Sequence, residues 1–123
     1  MIRGVVYTHA DLGAAFCRTV ESMLGPQGGL QGISNEGLSG ESVRLKLEET
    51  IADGEGESII FTALLGGSCW QAAEKYCRER EEIRHITGVN LPMLISFVNK
   101  RETTSLDELT DLLSEYGRRG IHP

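Results

Sequence analysis

The sequence lacks any excess of basic side chains. Its 12 lysines and arginines are outnumbered by 18 aspartates and glutamates, which gives a formal net charge of −6 at pH 7. Proteins that bind nucleic acid carry a basic patch or stripe, so this composition argues against a nucleic-acid partner. The sequence also lacks the run of about 20 apolar residues that a membrane span needs. The apolar start at residues 1–7 is too short for a signal peptide and contains Arg3. We therefore expect a cytoplasmic protein without a membrane span.

Cysteine is scarce as well, with only Cys17, Cys69 and Cys77. A small secreted domain held by disulfides has more cysteines and an even number of them, so we expect a reducing compartment. No histidine, cysteine and carboxylate cluster has metal-ligand spacing, and the sequence predicts neither a metal nor another cofactor. His85 and His122 are interpreted as surface or strand-end histidines. The 123 residues, 40% apolar and 24% charged, have the composition of one globular domain.

Short apolar and β-branched runs alternate with helical patterns along the chain, as in layered α/β domains. The predicted strands cover residues 5–7, 28–33, 58–62 and 83–89. The predicted helices cover residues 12–24, 41–52, 69–80, 92–100 and 105–116, with a turn at 53–56 and a final cap at Gly117. With right-handed crossovers, this order predicts a doubly wound, mostly parallel α/β sheet of strand order 2-1-3-4 with helices on both faces. Residues 120–123 are expected to add a short edge strand.

Two loops of this predicted sheet meet where a ligand is expected. Open parallel sheets bind ligands beyond the carboxyl ends of their strands, at the point where the strand order reverses. In the predicted order that point lies between the first and third strands. The loops there are Thr8-His9-Ala10-Asp11 and the Ala-Leu-Leu-Gly-Gly-Ser segment at 63–68. Asp11 suits the N-cap or first turn of the following helix.

The residue types in these loops suit phosphoryl chemistry. A helix N-terminus presents unpaired N–H groups and a positive dipole end to an anion. Gly66 and Gly67 allow the backbone to approach a phosphate closely, and Ser68 opens the helix that follows. A neutral imidazole near pH 7 is a competent nucleophile toward a phosphoryl donor. His9 is therefore a candidate phosphohistidine that requires neither a metal nor a bound nucleotide.

Each of these features also has a structural interpretation. His9 also fits a strand-end residue hydrogen-bonded to backbone, and the Gly-Gly-Ser segment also fits a tight turn with a serine cap. Cys69, at a helix start that can lower a thiol pKa, is either a reactive thiol or, the interpretation we favour, a small buried residue. Leu64, Leu65 and Trp70 form either a contact surface for a partner protein or the packing of the loop itself.

Four segments carry a resemblance to a known family, and their spacing holds along nearly all 123 residues. They are Thr8-His9, Gly66-Gly67-Ser68, Gly88-Val89-Asn90-Leu91-Pro92-Met93-Leu94 and Tyr116-Gly117-Arg118-Arg119-Gly120. In these segments the chain resembles the mannose-family enzyme IIA components of the bacterial sugar phosphotransferase system. The resemblance implies one domain of this type over residues 1–123.

The resemblance assigns roles to the loop residues. It implies that His9 accepts a phosphoryl group from phospho-HPr and passes it to a IIB-type protein or a regulatory target. Gly66, Gly67 and Ser68 would hold the phosphoryl oxygens. The residues expected to support the site are Thr8, Asp11 and Asn90. The family is typically a homodimer that exchanges its C-terminal strand, so residues 120–123 are expected to pair across an interface. Since no IIB domain follows Pro123, the acceptor is expected to be a separate protein.

The sequence departs from the family pattern at two positions. Ala63 stands where the family commonly has an aspartate hydrogen-bonded to the active histidine, and Ala10 stands where a glycine usually follows that histidine. Losing the carboxylate removes a partner that fixes the tautomer of the ring, and Asp11 is a candidate substitute. Three functions therefore stay open: a phosphocarrier, a non-catalytic or slowly phosphorylated regulatory module of the same fold, and a small-molecule-binding or redox domain that uses Cys69.

Overall fold

The computed structural model describes residues 1–52 and 56–123. Three of the four residues of the predicted turn at 53–56 lie outside this described part. The strands are β1 (Arg3–Thr8), β2 (Leu30–Ser34), β3 (Ser58–Thr62) and β4 (Ile83–Thr87). The helices are α1 (Leu12–Leu24), α2 (Glu41–Ala52), α3 (Ser68–Cys77), α4 (Leu91–Lys100) and α5 (Leu106–Arg119).

The strands form one parallel sheet of order β2-β1-β3-β4, which confirms the predicted order. All five residues of β3 are buried, as expected for a central parallel strand covered on both faces. One apolar cluster joins Val6 and Phe61 to residues of α1, α4 and α5. A second joins Val5 and Ile60 to residues of α2 and α3. The sheet therefore lies between two helical layers, and its carboxyl ends carry the candidate loops.

Helix α1 packs against the sheet at unusually short range because two glycines face each other. A Cβ added to Gly32 on β2 would lie 2.2 Å from the backbone carbon of Gly13, and one added to Gly13 would lie 2.4 Å from the carbonyl oxygen of Val6. No side chain fits in that space. These glycines hold the start of α1 directly on β1 and β2, and the loop from β1 to α1 is short as a result.

Strand β2 begins later than the predicted residue 28 for an identifiable reason. Gly29 has a φ of 72°, a left-handed conformation that a strand does not contain. The buried Arg101 donates from Nη2 to Gly28 O at 2.7 Å and from Nη1 to Gly29 O at 3.3 Å. The guanidinium fixes these carbonyls in a turn at the end of the sheet opposite the candidate loops, and pairing with β1 starts at Leu30.

Three predicted boundaries near the carboxyl half differ from the structure. Helix α3 ends at Cys77, three residues early, where Arg80 Nη1 donates to the free carbonyl of Tyr76 at 2.8 Å. Strand β4 ends at Thr87, because Gly88 turns the chain with a φ of 79°. Helix α5 continues past the predicted cap at Gly117 to Arg119.

In the single chain, residues 120–123 do not form an edge strand, and their pairing with a second copy stays a prediction. Helix α5 uses residues up to Arg119, and Ile121 N donates to Arg118 O at 3.1 Å, which ties the tail to the last turn of the helix. Residues 121–123 have no regular structure. Gly117 is buried inside the helix, where an added Cβ would lie 2.8 Å from Met93 Cε. The glycine thus allows α5 to pack closely on α4 and does not end the helix.

Candidate functional site

The end of β1 is shaped by a buried threonine. Thr8 Oγ1 accepts a hydrogen bond from Gly13 N at 2.7 Å, which satisfies an N–H group in the first turn of α1. Asp11 occupies the N-cap position, but its side chain makes no capping hydrogen bond. The predicted N-cap position of Asp11 is therefore confirmed, while the side-chain hydrogen bond to the helix start comes from Thr8. A supporting role for Asp11 beside His9 stays a prediction.

His9 is exposed at the carboxyl end of β1. Ala10, the next residue, has a φ of 51°, in the left-handed region that favours glycine. Non-glycine residues pay about 1–2 kcal/mol for this conformation. The backbone thus turns sharply directly after the histidine, and the position where the family usually has glycine is one where this chain carries strain.

The loop between β3 and α3 brings its glycines to the histidine. Gly66 has a φ of 85°, and Gly67 N donates to Leu64 O at 3.0 Å to close the turn. A Cβ added to Gly67 would lie 3.4 Å from His9 Cε1. The imidazole ring therefore lies against Gly67, directly before the first residue of α3. This contact agrees with the sequence prediction, in which the two loops meet at the point where the strand order reverses.

The start of α3 has the properties of an anion site. The first backbone hydrogen bond of the helix runs from Gln71 N to Gly67 O at 2.9 Å. The N–H groups of the residues before Gln71 have no carbonyl partner within the helix. The positive end of the helix dipole lies at these groups, directly after Gly67, against which the His9 ring lies. A helix start of this kind favours the binding of an anion.

Asn35 is a site residue that the sequence reasoning missed. Its side-chain Nδ2 donates to Ser68 Oγ at 3.0 Å, and its backbone N donates to Thr8 O at 3.1 Å. Asn35 directly follows β2, and the predicted strand order already placed the end of β2 beside the end of β1. That position, and a side chain that can both donate and accept hydrogen bonds, could have identified Asn35 as a site residue from the sequence.

Asn90 was expected to support the site around His9, and its side chain binds the backbone of two helices. Its Oδ1 accepts from Met93 N at 3.0 Å and caps α4, while its Nδ2 donates to Gly117 O at 2.8 Å. Both polar atoms of the side chain are thus bound to the backbone of α4 and α5. A contribution of Asn90 to the rim around His9 stays a prediction.

Three leucines are exposed on the elements that carry the candidate site. Leu64 is 60% exposed, Leu65 is 72% exposed and Leu12, at the start of α1, is 45% exposed. Such exposure rules out loop packing as the main role of Leu64 and Leu65. Trp70 is half-buried on α3. Ala63 is exposed and brings no polar group to this surface.

Cys69 does not have the environment of a reactive thiol. The residue is buried, and burial raises the pKa of its thiol to about 11, although the Ser68 hydroxyl opposes that rise. The thiolate is the nucleophilic form, and it is scarce at neutral pH when the pKa is this high. Burial raises the pKa of Cys17 likewise to about 11. The structure therefore removes the basis for a redox function at Cys69.

His85 was predicted to lie at the surface or a strand end, and its side chain is in fact 3% exposed. Its Nε2 lies 2.7 Å from Thr62 Oγ1, and its Nδ1 lies 2.8 Å from Glu74 Oε1. Burial lowers the pKa of His85, and the Glu74 carboxylate partly opposes that shift. The prediction failed because Glu74, one turn before the end of α3, covers the edge strand β4.

Neither a group of metal ligands nor a membrane-spanning helix is found in the described part of the chain. Across residues 1–52 and 56–123, no group of three or more histidines, cysteines and carboxylates is arranged to hold a metal ion. None of the helices in this same part of the chain is long and apolar enough to cross a membrane.

Comparison with solved structures supports the fold and the family together. The EIIA component of the phosphotransferase system from Streptococcus agalactiae superposes with a TM-score of 0.92 at 27% identity, covering 100% of this chain and 97% of that one. The mannose/sorbose-specific IIA subunit from Enterococcus faecalis gives a TM-score of 0.85 at 18% identity over 98% of this chain and 92% of that one, which supports the fold alone.

Comparison with known sequences indicates the same family. The chain is 30% identical over 123 aligned residues to the mannose-specific EIIAB component of Escherichia coli K12, covering 95% of this chain and 38% of that longer protein. It is 26% identical over 110 residues to the sorbose-specific EIIA component of Klebsiella pneumoniae, covering 89% of this chain and 82% of that one. The family model described as "PTS system fructose IIA component" (EIIA-man) matches residues 4–113. The chain therefore belongs to the EIIA-man family of the sugar phosphotransferase system.

Proposed function

We propose that this chain is a phosphocarrier that accepts a phosphoryl group on His9 from phospho-HPr and passes it to a IIB-type acceptor. The observation that carries the proposal is the contact of the exposed His9 ring with Gly67, immediately before the N-terminus of α3. A nucleophile and an anion-binding helix start are thus adjacent. Family membership over residues 4–113 supports the same reaction.

In the proposed step, an unprotonated ring nitrogen of His9 forms a bond to phosphorus. The phosphorus–nitrogen bond of the donor breaks, and the donor histidine leaves with the electron pair. The N–H groups at the start of α3 and the Ser68 hydroxyl stabilise the charge on the phosphoryl oxygens. The same sequence of events in reverse order delivers the group to the acceptor.

The exposed leucines fit the protein partners of such a carrier. Donor and acceptor must each bring a phosphorylated or receiving side chain to His9, and each therefore docks over the same surface. Leu12, Leu64 and Leu65 give that surface an apolar contact area close to the reacting ring. We infer that both partners contact these leucines in turn and that neither stays bound.

A homodimer is part of the same proposal. Strand β4 lies at the edge of the sheet in the described part of the chain. A cavity of about 150 Å³ beside it is lined by Ile86, Thr87, Met93 and Ile121, and Ile121 is 73% exposed. An unpaired strand edge next to an exposed apolar side chain is suited to pairing with a second copy. Light scattering after size exclusion measures the mass, and a monomer at all concentrations would contradict this part.

The regulatory module is the second candidate, and Ala63 is the observation that favours it. An exposed methyl group at this position offers His9 neither a charge nor a hydrogen bond. A ring without an orienting partner reacts more slowly. In this alternative the apolar surface binds a partner, and phosphorylation is slow or absent.

One experiment separates the two candidates. The purified protein is incubated with phosphoenolpyruvate, enzyme I and HPr, and its intact mass is followed over time. We expect one acid-labile phosphoryl group on the wild type and none on His9→Ala, while His122→Ala, a change at another exposed histidine, labels normally. Absence of label on the wild type, under conditions in which an authentic IIA domain is labelled, would reject the carrier and favour the regulatory module.

A further inference from the structure

Asn35 hydrogen-bonds to both loops of the candidate site. Its backbone N–H reaches Thr8 O, directly before His9, at 3.1 Å. Its side-chain amide reaches the Ser68 hydroxyl, at the start of α3, at 3.0 Å. The loop after β2 is thereby tied to the loop after β1 and to the loop after β3. These three loops form the rim at the carboxyl ends of the strands.

The direction of the side-chain hydrogen bond sets what Ser68 can do. A hydroxyl has one proton to donate and two lone pairs that accept. Because Asn35 Nδ2 donates to Ser68 Oγ, one lone pair is occupied and the serine proton is left to be donated elsewhere. The buried Cys69 sulfur is a competing acceptor on the same helix. An anion next to His9 is a stronger acceptor than that thiol.

The bond between Asn35 and Ser68 contributes little to folding. The bond is exposed to solvent, although Asn35 itself is half-buried, and a solvent-exposed hydrogen bond between neutral groups adds only a small net stability because water replaces it readily. A bond with a small effect on stability can still have a large effect on a reaction, because a fixed donor needs no reorganisation when charge develops. The effect of Asn35 should therefore appear in phosphoryl transfer and not in unfolding.

We propose that Asn35 is a positioning residue for the phosphoryl group: its amide fixes the Ser68 hydroxyl so that the serine O–H donates to the phosphoryl oxygens on His9. This inference rests on the proposed function of His9. The group recognised is a phosphoryl dianion, and Asn35 acts on it through Ser68. No such role is assigned by the sequence motifs that identify the family, since Asn35 lies in none of them.

The test compares Asn35→Ala, Asn35→Asp, Ser68→Ala and the double variant Asn35→Ala/Ser68→Ala. Initial rates of labelling by phospho-HPr and rates of phosphoryl loss are measured for each. We expect Asn35→Ala and Ser68→Ala each to slow labelling by about tenfold. The double variant should be no slower than Ser68→Ala alone, because the amide acts only through the hydroxyl.

Asn35→Asp distinguishes a positioning role from a structural one. Aspartate has the shape of asparagine but accepts the serine proton instead of leaving it for the phosphoryl group, and it adds a negative charge beside an anion. We expect it to label more slowly than Asn35→Ala while its urea midpoint stays at the wild-type value. Asn99→Ala, an exposed asparagine on α4, is the matched control and should label normally.

The outcomes separate this inference from the proposed function. If the wild type is not labelled at all, the carrier function fails and this inference fails with it. If the wild type is labelled while Asn35→Ala and Asn35→Asp react at its rate, the carrier stands and the positioning role is rejected. Multiplicative slowing in the double variant would also reject it, because the two side chains would then act independently.

Discussion

Gly67 is the position where one added methyl group tests the site most sharply. Its φ of −72° and ψ of 174° are extended backbone that any residue adopts, so Gly67→Ala introduces no backbone strain. The new Cβ would lie 3.4 Å from His9 Cε1 and 3.2 Å from Leu64 O. The contact with Leu64 O is tight and the one with His9 Cε1 is at the lower limit of van der Waals contact, so the loop that carries Gly67 must shift by a few tenths of an ångström relative to the His9 ring.

The expected effects on stability and on rate differ. Replacing glycine by alanine stabilises a protein by about 0.4–1 kcal/mol through the unfolded chain, and the crowding offsets this gain. We expect the free energy of unfolding to change by less than about 1 kcal/mol. A shift of about 1 Å in a reacting group costs about 100-fold in rate, so a shift of a few tenths of an ångström should slow phosphorylation of His9 by about tenfold.

The assay compares initial rates of labelling by phospho-HPr with urea unfolding of the same preparations. Gly28→Ala is the matched control, because an added Cβ there would meet nothing closer than Met1 Cε at 4.0 Å. Its labelling rate should equal that of the wild type. A wild-type rate for Gly67→Ala in a folded protein would refute the contact between Gly67 and the reacting ring.

Three further predictions address other parts of the site. Ala63→Asp should speed phosphorylation of His9 by about tenfold, because it gives the ring a charged partner. Ala63→Asn lacks the charge, so its rate should rise by less. Equal rates for the wild type and both variants would contradict this. Thr8→Val should destabilise the fold by about 1–3 kcal/mol in urea unfolding, because the Gly13 N–H loses its acceptor, while Thr8→Ser should not. Burial holds the pKa of His85 below 6.5, so the unfolded chain binds the proton before the folded chain does as the pH falls. The free energy of unfolding should therefore decrease below about pH 6.5. Urea unfolding measured at several pH values should show a smaller decrease for His85→Gln.

The layered fold was predictable because its signals are local. The buried run Ile59-Ile60-Phe61 lies in β3, and the helical spacing of Val43, Leu47 and Ile51 lies on the buried face of α2. Right-handed crossovers then leave few strand orders, and the observed order is the predicted one. The meeting of the His9 and Gly67 loops follows from that order, because parallel strands place their carboxyl ends at one edge.

Contacts between distant side chains were not predictable in the same way. The bond of Asn35 to Ser68 joins residues 33 apart in sequence, and the burial of His85 depends on Glu74 from a neighbouring helix. Both depend on the rotation of α3 relative to the sheet, which hydrophobic spacing fixes only coarsely. The sequence predicts a helix cap at Gly117 because glycine commonly ends helices, but in the structure Gly117 makes room for Met93.

Phosphorylation of His9 is tested most directly by locating the phosphoryl group among the three histidines of the chain. The labelled protein is digested at alkaline pH, where phosphohistidine survives, and the peptides are mapped by mass spectrometry. We expect the phosphoryl group on the peptide that contains His9 and on neither of the peptides that contain His85 or His122. A phosphoryl group on another residue, with His9 unmodified, would contradict it.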